Sequence, residues 1–274
     1  NDMNDPKVYK LWQDGNSVGI FQFESQGMTN FMKELKPDCL EDIIAGVSLY
    51  RPGPMDQIPR YIRGKQNPGH NEYTHPSLEP ILNVTYGCMV YQEQVMQIVR
   101  DLAGYSLGRA DLVRRAMGKK KLDVMARERE IFINGQLDED GNIVVPGCVR
   151  NGIDEISANK IFDEMAEFAK YAFNKSHAAC YAVVAYRTAY LKAYYPAEFM
   201  AATLNSYLGN LDKAPQYIDE CKRLGIQILK PDINKSFEKF TVEDGKIRFG
   251  LGAIKNVGTI PVENIVKERK EKGE

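Results

Sequence analysis

The sequence predicts a mainly α-helical protein with a short β-hairpin near its C-terminus, and three observations carry that prediction. Between Val90 and Ala103 the apolar residues Val95, Met96, Val99 and Leu102 recur at spacings of three and four, as one face of a helix requires. Ala178 to Tyr186 is apolar on nearly every face, which predicts a helix central to the core. Beyond Leu224 the period changes: Phe240 and Val242, then Asp244-Gly245, then Ile247 and Phe249 alternate around a two-residue turn, the pattern of a hairpin.

The remaining elements follow in chain order. Asp38 lies three residues before Glu41, a capping-box spacing that starts a helix through Ile43, Ile44 and Val47, and Pro52 stops it. Arg51-Pro52-Gly53-Pro54 is then a rigid turn. Asn67 to Pro80 carries Pro68, Gly69, Pro76 and Pro80 and reads as a surface loop; His70 and His75 lack a nearby third ligand and are loop residues. A helix over roughly Arg109 to Met117 buries Leu112, Val113, Ala116 and Met117 and leaves Arg114 and Arg115 exposed; Gly118 loosens the chain after it. Leu137 to Gly147 is a loop or small hairpin. It is no calcium loop, because an EF-hand starting at Asp138 needs glycine where Ile143 stands. Ile161, Met165 and Phe168 line a helix between Ile156 and Phe168. Asn174 or Ser176 caps the apolar helix, Pro196 opens the next, and Gly209 and Gly225 end the last two.

Composition narrows the function classes. With 43% hydrophobic and 27% charged residues in 274, the chain can bury a core, and its longest apolar run is far short of the roughly 20 residues that span a bilayer. No basic and apolar leader marks the N-terminus, so the cytoplasm is the expected compartment. Five cysteines, 32 to 60 residues apart, fit neither a disulfide framework nor a zinc knuckle and read as reduced, mostly buried thiols. No P-loop, dinucleotide fingerprint, zincin or nucleophile-elbow motif is present, and Asp138-Glu139-Asp140 in its glycine-containing loop is a poor two-metal clamp. No catalytic or metal-binding residue is therefore assigned.

Charge is more informative in its distribution than in its net value of -1. Arg109, Arg114, Arg115, Lys119, Lys120 and Lys121 face only Asp111 within their stretch. Arg51, Arg60, Arg63 and Lys65 face Asp56, and Lys170, Lys175, Arg187 and Lys192 face no local carboxylate. Each group also admits the plainer reading of a solvated surface. Two arginine forks and two ammonium groups within about one and a half turns match a triphosphate or successive DNA phosphates. Asn174-Lys175-Ser176-His177 before a helix offers a second anion site, with plain capping as its competitor. Gly252 to Gly258 and the polar helix after it resemble the opening of a helix-hairpin-helix unit.

Five motifs in this order resemble those of C-family DNA polymerases, most closely the bacterial DNA polymerase III alpha subunits: Phe21 to Met28, Tyr50 to Pro54, Tyr91 to Met96, Arg114 to Lys120 and Phe173 to His177. Pro231 to Asn234 and Phe249 to Lys255 extend the resemblance, which runs from about Val18 to Val257; the Leu137 to Gly147 loop departs from it by being longer. The resemblance implies a fingers region over residues 1–225, a β-hairpin element over 226–252 and the start of a helix-hairpin-helix domain over 253–274. It implies nucleotide contacts from Arg114, Arg115, Lys119, Lys175, Ser176 and His177, and DNA contacts from Arg51, Arg60, Arg63, Lys120, Lys121 and Lys255. It places Arg51 and the Tyr91 to Gln94 stretch near the nucleotide or template. The expected partners are primer-template DNA, deoxynucleoside triphosphates and, for the parent enzyme, the sliding clamp and other replisome subunits. Mg²⁺ would be held by palm aspartates preceding Asn1, so that this chain, read as a fragment of a polymerase, binds no cofactor and is inactive alone. Without that resemblance, a non-enzymatic helical DNA-binding module ranks first, and a scaffold for acidic protein partners is the further alternative.

Overall fold

A computed structural model describes residues 2–208 and 211–273. Its helices, in order, are α1 (Pro6–Gln13), α2 (Gln26–Leu35), α3 (Leu40–Leu49), α4 (Ile58–Gln66), the single turn α5 (Glu79–Leu82), α6 (Gln92–Ala103), α7 (Leu107–Gly118) and α8 (Leu122–Asn134). The hairpin β1 (Gln136–Leu137) and β2 (Ile143–Val145) leads to α9 (Glu155–Phe168), α10 (Lys175–Tyr194), α11 (Pro196–Ser206) and α12 (Ala214–Arg223). Then come β3 (Ile228–Leu229), β4 (Thr241–Glu243), β5 (Lys246–Arg248) and α13 (Thr259–Lys272). The fold is thus mainly α, as the sequence predicts, and among the described residues no helix is long and apolar enough to cross a membrane.

The chain divides into two compact units, one of residues 34–182 and one of residues 1–33 with 183–274. In the first, α6, α7, α8 and α9 pack their apolar stripes into one core that includes Val95, Ile98, Val99, Val113, Met117, Phe132, Ile161 and Met165. Ser106 and Asp154 start α7 and α9 by accepting the backbone N–H of Arg109 (3.3 Å) and Ser157 (2.8 Å), which satisfies donors a helix start leaves unpaired. In the second unit, α11 and α12 pack Met200, Leu204, Tyr217 and Cys221 against Phe240 and Ile247. The order of its sheet is β3-β5-β4: β4 and β5 form the predicted hairpin, with Asp244 and Gly245 both at positive φ in its turn, and β3 adds in parallel.

Several local expectations change. The α3 start has Cys39, not Asp38, at its cap; the Asp38 carboxylate turns instead to Lys65 (2.7 Å), and the Asp38 N–H donates to Asp42 (3.1 Å). Buried Asp42, also bound by Lys65 (2.8 Å), draws both away from a capping box. Leu112 is 66% exposed, because the buried stripe of α7 runs through Ala110, Val113, Ala116 and Met117. The apolar run in α10 is not buried all round: Ala178, Ala182, Ala185 and Tyr186 are buried, while Cys180, Val184 and Arg187 are exposed. His75 caps a short 3₁₀ turn by accepting the Ser77 N–H. Gly225 ends α12 at a φ of 74°, whereas Gly209 lies outside the described residues. Helix α8 and strand β3 carry too little regular alternation to be read from their residues alone.

Candidate nucleotide and DNA interface

The C-terminal end of α7 is built to present cations. Its last residues form a Schellman-type close, in which the Lys120 N–H donates to the Met117 carbonyl (3.1 Å) and the Lys121 N–H to the Ala116 carbonyl (3.1 Å). Lys120 sits at the left-handed position of that close with φ 52°, where glycine is usual. Lys119, Lys120 and Lys121 are all exposed. Their charges oppose the negative end of the helix dipole.

Crowding of like charge along this helix is partly relieved from within. Asp111 accepts from Arg114 (2.5 Å) and pairs with Arg115 (2.8 Å), three and four positions further along the helix. Hydrogen bonding from Arg114, together with Arg115, holds the Asp111 carboxyl below its usual range. Arg109 belongs elsewhere: it donates to Gln136 (2.6 Å) and Glu128 (3.2 Å). Arg114 is half-buried, its fork held by Asp111 and its Nε unpartnered, whereas Arg115 is exposed.

The motifs that the sequence scatters over more than 120 positions converge on the connection from α9 to α10. A Cβ on Gly118 would come 3.3 Å from the Ala169 carbonyl, so the end of α7 abuts the start of that connection. Arg51 donates to the Tyr171 carbonyl (2.9 Å) and lies 4.2 Å over the Phe173 ring. Gly53, at φ 103°, passes so near Tyr171 that a Cβ would meet its ring at 2.4 Å, which only glycine tolerates. Finally the Gln92 N–H donates to the Phe173 carbonyl (2.9 Å), joining the Tyr91 to Gln94 stretch to the same segment.

At the start of α10, Asn174 is the cap and accepts the His177 N–H (2.8 Å). Glu93 covers the helix end: it accepts from the Asn174 amide (2.9 Å) and from the Lys175 N–H (3.1 Å). The Lys175 ammonium pairs with Glu41 (3.0 Å). The anion position expected from the sequence is therefore held by the protein's own carboxylates. Ser176 and His177 are exposed, with the imidazole ring 4.6 Å from that of Tyr181. Sequence reasoning missed Glu41, Glu93 and Asp111 in these roles; their signal is only their position inside motifs noticed for other residues.

The other expected DNA contacts belong to other elements. Arg60 and Arg63 are exposed on α4, where Arg60 donates to the Glu72 carbonyl (3.1 Å). Lys255 is exposed in the turn before α13, in the other compact unit. Among the described residues, Asp38, Cys39 and Asp42 form a metal-like cluster, but Lys65 donates to both carboxylates. An ammonium group beside a thiol does not suit Mg²⁺, which requires an octahedron of oxygens.

Comparison with known proteins agrees with the motifs. The model of the bacterial DNA polymerase III alpha subunit finger domain matches residues 1–140, and a helix-hairpin-helix motif matches residues 225–274. The chain is 47% identical over 270 residues to the DNA polymerase III subunit alpha of Borreliella burgdorferi, covering 98% of this chain and 22% of that protein. It is 48% identical over 276 residues to that of Thermus aquaticus, covering 99% and 22%. To that of Pseudomonas aeruginosa it is 47% identical over 279 residues, covering 99% and 23%. The chain thus spans somewhat over a fifth of the length of these relatives. On the match over its first half and these likenesses over nearly all of it, the chain belongs to the finger-domain family of bacterial DNA polymerase III alpha subunits.

Proposed function

We propose that this chain binds the incoming deoxynucleoside triphosphate and primer-template DNA for nucleotidyl transfer catalysed by a palm that the chain does not supply. The observation that carries the proposal is the convergence of the Arg51, Tyr91, Gly118 and Phe173 motifs on one connection, beside the exposed cations ending α7. Arg115 and Lys119 would engage the triphosphate, with Arg114 holding the local geometry through Asp111. Lys175 would exchange Glu41 for a phosphate oxygen, and Ser176 and His177 would lie beside the nucleotide or primer terminus. Lys120, Lys121, Arg51, Arg60, Arg63 and Lys255 would track DNA phosphates. These groups position the substrate and neutralise charge that develops on the pyrophosphate leaving group, the contributions available without a catalytic carboxylate pair.

In the parent enzyme Mg²⁺ would belong to the palm, and the chain alone would not extend a primer. Residues 1–225 would act as fingers, 226–252 as a β element and 253–274 as the start of the helix-hairpin-helix domain. The parent would work in the cytoplasm, with the sliding clamp and other replisome subunits as partners. The test is Arg115→Ala in the full polymerase. A raised Michaelis constant for nucleotide or a lowered turnover is expected. Unchanged kinetics with weakened DNA binding would instead favour a purely DNA-binding module, the reading that the helix-hairpin-helix match and Lys255 also accommodate.

A further inference from the structure

A polar groove of about 570 Å³ opens within the 34–182 unit, away from the cation cluster of α7 in sequence, and its walls include Arg60, Arg63, His70, Asn71, Glu72 and Tyr86. Its shape is fixed by a close approach. A Cβ on Gly64 would meet the Tyr86 Cβ at 2.5 Å and the Asn71 Oδ1 at 2.7 Å, so α4 lies directly against the far wall. Tyr86 holds a left-handed backbone (φ 53°) and sets its ring edge-on to buried Tyr61 at 5.0 Å.

The arginines here differ from most others in this unit. Arg100, Arg109, Arg114, Arg115 and Arg129 each pair with a carboxylate. Arg60 donates only to a backbone carbonyl, and no ion pair is formed by Arg63 among the described residues. Spaced i and i+3 on α4, the two guanidinium groups share one face, where like charges repel unless an anion lies between them. Glu72 is the one carboxylate on the wall, which confines the attraction for an anion to the arginines. The amide of Asn71 and the half-buried ring of Tyr86 supply what a nucleobase needs, hydrogen bonding at its edge and a surface to lie against.

We infer that this groove takes one or two nucleotides of single-stranded DNA, with a phosphodiester on Arg60 and Arg63 and a base against Tyr86. Because Arg60 and Arg63 also appear among the DNA contacts of the proposed function, this inference deepens that reading at one place. It rests on that reading and assigns to the groove the unpaired part of the DNA in place of the duplex.

The experiment is fluorescence anisotropy of a labelled oligothymidine titrated with the 274-residue chain at several salt concentrations. Loss of the one phosphate held by Arg60 and Arg63 should flatten the slope of log K against log salt by about 0.7 in R60A/R63A. N67K, an added cation just past α4 on the same wall, should tighten binding, and it keeps the test decisive should R60A/R63A fold poorly by circular dichroism. R60A/R63A should lose a larger factor in affinity for oligothymidine than for a blunt duplex, and equal losses overturn the inference. An oligothymidine slope unchanged in R60A/R63A overturns the inference, as does displacement by millimolar inorganic phosphate, which would mark a free-phosphate site. The R114A/R115A/K119A variant separates the two readings. If it alone abolishes oligothymidine binding, the groove is refuted while the proposed function stands.

Discussion

The Lys192 ammonium lies 2.6 Å from Oε1 of Glu220, and the two side chains are 0% and 4% exposed. Lys192 also donates to the carbonyls of Asn16 (2.8 Å) and Val18 (2.6 Å), so its three protons all have acceptors. Arg223 adds a second cation to Glu220 through its Nε (2.7 Å). Burial pushes the Lys192 ammonium below its ordinary value against the pull of Glu220. Burial likewise raises the Glu220 carboxyl, but hydrogen bonds from Arg223 and Lys192 outweigh it and leave the group below its usual range. A pair this enclosed is stable only when complete.

Lys192→Ala is therefore expected to destabilise the protein by about 3–5 kcal/mol, because it leaves Glu220 with Arg223 as its remaining cation and takes the donor from the carbonyls of Asn16 and Val18. Urea unfolding checks this, and a loss below about 1 kcal/mol would show that water reaches the pair. The Glu220 contribution has a pH signature. Its folded pKa is depressed, so its stabilisation is complete above the unfolded value of about 4.3 and is lost as pH falls through the folded one.

Lys120→Gly should stabilise the end of α7 by about 1 kcal/mol, since glycine takes the left-handed position without the penalty a Cβ brings. The same change should weaken polyanion binding and reduce the salt slope by about 1. Opposite signs in thermal melts and in binding isotherms would show that lysine is kept there for its charge. A destabilised variant would remove that explanation.

Glu93→Ala should cost about 1–2 kcal/mol, the range for removing a partly buried carboxylate from a helix N-terminus, and it also unpairs the Asn174 amide. Glu93→Gln, which keeps an acceptor and loses the charge, should cost less than Glu93→Ala. Equal losses in denaturant titrations would mean that the charge contributes most of the effect.

Gly64→Ala should destabilise by about 1–3 kcal/mol, as overpacking does. The Asn71 side chain can turn away from the new methyl group, but the Tyr86 Cβ, 2.5 Å from it, moves only with the backbone. A thermal melt unchanged from that of wild type would place α4 and Tyr86 farther apart than described.

Local chemistry alone fixes much of this protein. The α6 helix follows from Val95, Val99 and Leu102, and the β4–β5 hairpin from alternation around Asp244-Gly245, because each depends on neighbours within a few positions. The cations of α7 are likewise legible as a cluster. What sequence cannot assign is the partner of each charge. Arg114 and Arg115 converge on Asp111, Lys175 meets Glu41 across more than 130 positions, and buried Lys192 is neutralised by Glu220. The capping box at Asp38 fails for the same reason, since Lys65 arrives from another helix and draws the carboxylate away. Spacing determines which face of an element a residue occupies. Only the packing of distant segments decides which charges are desolvated, and desolvation makes some pairs obligatory while leaving Lys119, Lys120 and Lys121 in water, open to a polyanion.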